Sequence, residues 1–220
     1  MFRHYDFKRY NYLIIINVLV LAIIGIIAIG SATQINTDLG SDTFVKKQII
    51  GLIIGFICMI GISIIDYHFI SKFYPIIYMV MVGLLLAVLF MGKTVGGATR
   101  WVAIGGFVIQ PSEFAKLLIV IFLAKMIDKY RVVFNKPWFL LILTLLSSIV
   151  IFLVLQQPDL STSVMIAGVF LITIFVGGLD VRYIIAGIII MIPILIIGFE
   201  LIKDPDQEII ENYQRTRIMT

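Results

Sequence analysis

The residues that could carry chemistry lie in one polar stretch, Lys93 to Lys116, inside a chain that is otherwise mostly apolar. The stretch holds an arginine beside a tryptophan, two pairs of glycines and the run Gln110-Pro111-Ser112-Glu113. Polar groups this close to hydrocarbon are costly, so they usually face protein or water and serve a function. We therefore expect a site for a polar ligand in this stretch.

A second motif, Gln157 to Asp159, repeats the pattern of Gln110 to Glu113. In each motif a proline stands where a helix would begin, a position that needs no amide donor. An acid then follows in the first turn, where it meets the positive end of the helix dipole. Two membrane crossings separate the motifs, one in each direction, so both helix starts are expected on the same face. Taken alone, the pair is best explained as two ordinary capped helix starts.

Three further features favour a ligand site at this face. Glu113 and Lys116 are three residues apart, so on a helix they share a side and can form an ion pair. Arg100 and Trp101 precede them and offer a guanidinium group and an interfacial aromatic ring, while the glycine pairs let the backbone approach a ligand closely. Helix N-termini with arginine and lysine nearby suit phosphate or pyrophosphate. The candidate site residues are Arg100, Trp101, Gln110, Glu113, Lys116 and Asp159.

The elements that must position these residues are transmembrane helices. The chain is 61% hydrophobic and 14% charged, and its apolar residues form uninterrupted runs of membrane-spanning length, which excludes a water-soluble domain. A run of about 18 residues gives a helix of roughly 27 Å, close to the thickness of the hydrocarbon core. The fold class is therefore an all-α polytopic membrane protein. The seven predicted spans are Tyr12–Ser31, Gln48–Ile65, Tyr74–Met91, Ser112–Ile127, Trp138–Leu155, Leu160–Gly177 and Tyr183–Leu201.

Charge and cysteine content narrow the partners and the topology. The net charge is +4, but there is no arginine-rich run or nucleic-acid motif, so we expect contact with membrane lipids and not with nucleic acid. A cytoplasmic N-terminus puts nine of the 17 basic residues inside, a thin majority that the four in Lys125 to Lys136 reinforce. The single cysteine, Cys58, excludes an internal disulfide. No cofactor is expected, and the sequence does not show a divalent metal site.

The residues from Gly96 to Leu117 resemble the signature of the SEDS proteins, the group that includes RodA, FtsW and SpoVE. Members of that group show a Gly-Ala-x-Arg-Trp segment, here Gly97 to Trp101, followed by Gln-Pro-Ser-Glu and a lysine. Their second landmark, Gln-Pro-Asp-Leu-Gly-Thr, is similar to Gln157 to Thr162, with serine in place of glycine. The run Tyr213 to Ile218 is similar to the opening of the family's large extracytoplasmic loop. Two further segments, Phe44 to Ile49 and Ile65 to Tyr67, resemble the RodA branch more than the FtsW branch.

The resemblance implies a fold of roughly ten spans in the bacterial cytoplasmic membrane, with a cytoplasmic N-terminus. It implies a peptidoglycan glycosyltransferase that polymerises lipid II for cell shape, elongation or division, together with a class B penicillin-binding protein. Moving the glycan from its undecaprenyl pyrophosphate to the next sugar needs a base and positive charge for the departing pyrophosphate. Arg100 and Lys116 suit the second need, Trp101 suits a wall or sugar contact, and Glu113 can orient Lys116 or assist the base.

The catalytic residue is left unassigned. The aspartate favoured in the family lies in the outer loop, beyond Thr220, and Asp159 is not that residue. We expect residues 1–220 to be a single transmembrane domain, residues 202–220 to begin the outer loop, and the chain to be the N-terminal portion of the fold.

Two alternatives stay open. One is a flippase or transporter for a lipid-linked precursor, although transport should place polar residues through the membrane depth, whereas here they gather at one face. The other is a non-catalytic scaffold for a penicillin-binding protein, which would keep its complex after loss of the whole cluster.

Overall fold

The computed structural model describes residues 11–33, 41–95, 98–104, 107–187 and 189. The chain divides into two compact units, with the boundary between Ile70 and Ser71. Each unit is described by itself. The prediction of a single transmembrane domain over residues 1–220 stays a prediction.

The first unit is built on two long apolar helices. They are α1 (Tyr12–Thr33) and α2 (Ser41–Ile64), which pack against each other. A short helix, α3 (Tyr67–Lys72), follows. Most described side chains of α1 and α2 are apolar and are not covered by other parts of the protein, as expected for helices that face hydrocarbon.

The second unit is a bundle of four helices. They are α4 (Tyr74–Met91), α5 (Pro111–Lys129), α6 (Pro137–Leu155) and α7 (Leu160–Val176). The helices α4 and α7 each pack against both α5 and α6. Because successive helices run in opposite directions, α5 and α7 are parallel neighbours. Their N-termini therefore lie at the same end of the bundle, which confirms the prediction from connectivity. Leu85, Leu123, Leu143 and Ile166, one from each helix, are fully buried between them.

A small antiparallel sheet, which the sequence did not lead us to expect, connects α4 to α5. Its strands are β1 (Lys93–Val95), β2 (Ala98–Ile104) and β3 (Phe107–Ile109), in that order. Valine, isoleucine, threonine and aromatic residues between glycine pairs are typical of short strands and turns. The two glycine pairs, predicted to bend the backbone towards a ligand, lie outside the described residues.

The predicted spans agree with the helices to within a few residues, except that α2 begins seven residues earlier than predicted. Four of the described helices are long and apolar enough to cross a membrane, namely α1, the Phe44–Ile64 part of α2, α4 and α6. The apolar α7 is shorter, at 17 residues, and α5 carries charged residues near both of its ends. Of the predicted seventh span, residues 183–187 are helical, and most of the rest lies outside the described residues.

Candidate functional site

Arg100 joins the sheet to the turn between α6 and α7. Its Nε donates to the backbone carbonyl of Gln157 at 3.3 Å, and its Nη2 donates to the carbonyl of Pro158. Its Nη1 also lies 3.7 Å from Oδ1 of Asp159. One guanidinium group therefore contacts three consecutive residues of the second Gln-Pro motif, and β2 is held against that turn. We call this set of contacts the Arg100 clasp.

Asp159 is buried, with 2% of its surface exposed, and is the N-cap of α7. Its Oδ1 accepts from the backbone amide of Thr162 at 3.3 Å, and its Oδ2 accepts from the Thr162 hydroxyl at 2.9 Å. The Ser161 hydroxyl donates to Oδ1 at 3.3 Å. The carboxylate is thus satisfied by the start of its own helix, as expected for an N-cap aspartate.

Two details of the predicted helix starts need correction. Pro111 does stand at the start of α5, and Glu113 does lie in its first turn. In the second motif, however, α7 begins only at Leu160, so Pro158 precedes the cap and Asp159 is the cap itself. The physical reason is that an aspartate side chain can bond the amide three residues ahead only from the N-cap position.

Gln110 links the two helix starts directly. It is the N-cap residue of α5, and its Nε2 donates to Oδ2 of Asp159 at 2.9 Å and to the hydroxyl of Ser112 at 3.1 Å. The echoed motifs, 49 residues apart in sequence, are therefore bonded to each other. This confirms that the two motifs form one assembly, with Asp159 at its centre.

Glu113 and Lys116 form the predicted ion pair on the first two turns of α5. Lys116 Nζ lies 2.8 Å from Glu113 Oε1. The lysine side chain is 19% exposed and the glutamate side chain is 55% exposed, so the pair sits at the protein surface and remains within reach of a ligand. Trp101 is half-buried in β2, where its backbone pairs with Lys93 of β1.

Gln157 is the residue of this region that sequence reasoning did not select. Its side chain is fully buried, and its Nε2 donates to the backbone carbonyl of Leu85 in α4 at 3.1 Å. Its Oε1 accepts no hydrogen bond in the part of the chain that the structure describes. One feature of the sequence could have identified Gln157. It is a glutamine at the end of an apolar span, and it holds the same place in its motif as Gln110 in the other.

The arrangement consists of two parts. The Arg100 clasp, Gln110 and Asp159 satisfy one another, whereas Lys116 pairs with Glu113, whose side chain is 55% exposed. Within the described ranges, no group of three or more histidine, cysteine, aspartate or glutamate residues could hold a metal ion. The expectation that the protein needs no cofactor stays a prediction.

The fold and the site define a multi-pass helical membrane protein with a polar assembly at one end of its bundle. A family model described as "Cell cycle protein", the FtsW, RodA and SpoVE family, matches residues 11–220. The chain belongs to this family.

Two of its curated relatives carry peptidoglycan glycosyltransferase names. The chain is 30% identical to the peptidoglycan glycosyltransferase RodA of Treponema pallidum over 83% of its own length and 42% of that protein. It is also 30% identical to the probable peptidoglycan glycosyltransferase FtsW of Geobacter metallireducens, over 97% of its length and 56% of that protein. The chain therefore spans about half the length of the curated relatives it matches.

A solved structure has the same fold. A chain from a peptidoglycan synthase complex matches with a TM-score of 0.76 at 24% identity, over 96% of this chain and 58% of that one. At this identity the likeness concerns the fold alone. It agrees with the predicted class of polytopic helical membrane protein.

Proposed function

We propose that this chain forms the N-terminal part of a peptidoglycan glycosyltransferase that polymerises lipid II. The single observation that carries the proposal is the assembly of both family motifs at one end of the bundle, with the Glu113–Lys116 pair beside them on the first turns of α5. The glycosyltransferase names of the relatives in the same family support it. Cell-wall synthesis for shape, elongation or division is the corresponding cellular role.

In this proposal Lys116 supplies positive charge to the departing undecaprenyl pyrophosphate. Glycosyl transfer breaks the bond between the glycan and the pyrophosphate, and charge on the leaving oxygens must be stabilised as it develops. Glu113 holds the Lys116 ammonium group in place through the 2.8 Å contact. The lysine approaches a phosphate as a compact point charge, which tolerates several orientations of the ligand.

Arg100 takes a positioning role in the same proposal. Two of its nitrogens already donate to the backbone carbonyls of Gln157 and Pro158, and a third faces Asp159. A guanidinium group with these partners holds the sheet in place, and Trp101 on the same strand is then presented as a wall or sugar contact. Asp159 serves as a helix cap and hydrogen-bond acceptor, and the base that deprotonates the acceptor hydroxyl is left unassigned.

We further propose that the protein lies in the bacterial cytoplasmic membrane with its N-terminus inside, and that it works with a class B penicillin-binding protein. The basic connection from Lys125 to Lys136, at the opposite end of the bundle from the site, favours this orientation. The structural neighbour comes from a peptidoglycan synthase complex that coordinates polymerization and crosslinking. This supports the search for such a partner.

The test is polymerisation of purified lipid II by the complete gene product, with and without its penicillin-binding partner. Lys116→Gln should lower the yield of glycan product roughly a hundredfold or more while the protein still inserts and accumulates. Full product yield from that variant would overturn the site assignment. Translocation of labelled lipid II without any polymer would favour a flippase instead.

A further inference from the structure

A groove lies between α5 and α7 at the end of the bundle opposite the candidate site. It has a volume of about 470 Å³, within the roughly 300–1,000 Å³ that ligand sites usually occupy. Its α5 wall extends from Val120 to Asp128 and continues to Arg131 in the following 3-10 helix. Its α7 wall extends from Ile172 to Gly177.

The depth of the groove matches one leaflet of a bilayer. The α5 wall from Val120 to Asp128 is eight residues, or about 12 Å along the helix, and with Arg131 beyond it the groove covers about half of a hydrocarbon core of roughly 30 Å. The walls are mainly apolar, with Asp128 and Arg131 at the end nearest the surface. A ligand with an apolar chain and a charged head at one end fits this distribution of side chains.

The charge at the mouth of the groove favours an anionic head. The end of α5 with the connection after it (residues 125–136) and the segment after α7 (residues 177–183) hold five basic and two acidic residues, a net charge of +3. They are Lys125, Lys129, Arg131, Lys136 and Arg182, with Asp128 and Asp180. Side-chain hydrogen bonds hold these connections together, because Asn135 donates to the carbonyl of Gly178 at 3.2 Å and accepts from the amide of Asp180 at 2.9 Å.

Arg131 is the basic residue that lines the groove, and its neighbours leave its charge available. Lys125 pairs with Asp128 at 2.8 Å, which offsets the acid at the groove mouth. Lys129 donates to the Tyr74 hydroxyl at 3.0 Å, and this hydrogen bond raises the pKa of Lys129. The Arg131 side chain is exposed and forms no ion pair with the described residues.

We propose that the groove binds an anionic phospholipid of the adjacent leaflet, with its phosphate on Arg131 and an acyl chain between α5 and α7. Basic pockets between membrane helices bind anionic head groups in this way. This inference is independent of the proposed glycosyltransferase function, since it concerns the opposite end of the bundle.

The test compares lipids retained by the complete gene product in nanodiscs made from equimolar dioleoyl phosphatidylglycerol and dioleoyl phosphatidylcholine. We expect phosphatidylglycerol to be enriched around the wild-type protein. Arg131→Gln should lower that enrichment about fivefold, the effect of one basic residue near an anionic surface. Asp128→Asn should preserve or raise it, because this change removes a negative charge from the groove mouth. Lys93→Gln, a matched loss of one positive charge in β1, should leave the enrichment unchanged.

A second variant tests the groove itself. Ala124 is exposed and lines the groove, so Ala124→Phe should block the acyl chain and lower the enrichment as Arg131→Gln does. If Ala124→Phe instead lowers the melting temperature and leaves enrichment unchanged, another protein segment or a second copy fills the groove and the proposal is overturned. Equal retention of the two lipids by the wild-type protein would also overturn it.

Discussion

Arg100 in β2 donates from Nε to the backbone carbonyl of Gln157 at 3.3 Å, although 57 residues separate them in sequence. The acceptor is a main-chain oxygen at the end of α6, so this contact depends on the shape of the turn and not on a particular partner side chain. The same guanidinium group also reaches the carbonyl of Pro158. Through this contact the sheet is fastened to the start of α7.

We expect Arg100→Lys to weaken this attachment even though it preserves the charge. A lysine ammonium group is a single point donor and cannot reproduce donation from two guanidinium nitrogens to two carbonyls. Loss of a buried or partly buried hydrogen bond to a charged group costs about 1.5–3 kcal/mol. Thermal unfolding of the complete protein in detergent should therefore shift to lower temperature for both Arg100→Lys and Arg100→Ala. Lys93→Gln, at an exposed residue of the neighbouring strand, is the control. An unchanged unfolding temperature for Arg100→Lys would contradict a clasp.

We expect Lys116→Gln to reduce lipid II polymerisation by roughly a hundredfold or more, the usual effect of removing one electrostatic contact to developing charge. The chain offers a matched control on the same helix. Lys125 and Asp128 are also three residues apart and 2.8 Å from each other, but they lie at the other end of α5. Lys125→Gln should leave the polymerisation rate near that of the wild type. Equal losses from both lysine variants would indicate a general defect of α5 and remove Lys116 from the site.

The helices and the pairing of the two motifs could be predicted from the sequence because they depend on local patterns and on connectivity. Uninterrupted apolar runs define the spans. An even number of crossings between Gln110 and Asp159 requires both to lie at one end, and their 2.9 Å hydrogen bond bears this out. The Glu113–Lys116 pair follows from helical spacing alone.

The partners of Arg100 and Gln157 could not be predicted, because both side chains bond to backbone carbonyls. A carbonyl is present in every residue, so no residue type in the sequence marks the acceptor. An arginine without an acidic neighbour in the sequence therefore predicts an anion-binding group and gives no sign of these backbone contacts. The contact from Gln157 to Leu85 spans 72 residues, and only the packing of α4 beside α6 brings the two together.

We expect Asp159→Ala to destabilise the protein much more than Asp159→Asn does. Asparagine and aspartate are about equally good N-caps, whereas alanine at a cap costs about 0.5–2 kcal/mol. Alanine also removes the hydrogen bond from Gln110 Nε2 to a charged acceptor, for a further loss of about 1.5–3 kcal/mol, and leaves that half-buried amide with the Ser112 hydroxyl. Thermal unfolding in detergent gives the order of stability of the wild type, Asp159→Asn and Asp159→Ala. If the alanine and asparagine variants unfold at the same temperature, Asp159 does not act mainly as a cap.

We expect Gly92→Ala to be destabilising because the backbone there passes close to β2. A Cβ on Gly92 would lie 2.6 Å from the Thr99 methyl group and would also clash with the carbonyl oxygen of Val88. Overpacking of this kind costs about 1–3 kcal/mol. Gly83, in the preceding helix, is the control, because a Cβ there meets nothing within 4 Å. Gly83→Ala should be neutral or slightly stabilising, as helix propensity predicts. If thermal unfolding shows Gly92→Ala to be no less stable than Gly83→Ala, the close approach at Gly92 is contradicted.

The buried amide of Gln157 lets us predict which of two substitutions of similar size destabilises the protein more. Gln157→Glu places a carboxyl group in a fully buried position, where an ionised form is strongly disfavoured and the amide donor to Leu85 is lost. Gln157→Met loses the same donor, but it introduces no charge and it removes an acceptor that bonds to none of the described residues. We therefore expect the methionine variant to unfold at a higher temperature than the glutamate variant at neutral pH. We also expect the gap to narrow in acid, because protonation of the glutamate removes the cost of its charge. If the difference in unfolding temperature between the two variants is the same in neutral and acidic buffer, the glutamate side chain reaches solvent. In that case the side chain at position 157 is not enclosed against α4 as the contact with Leu85 indicates.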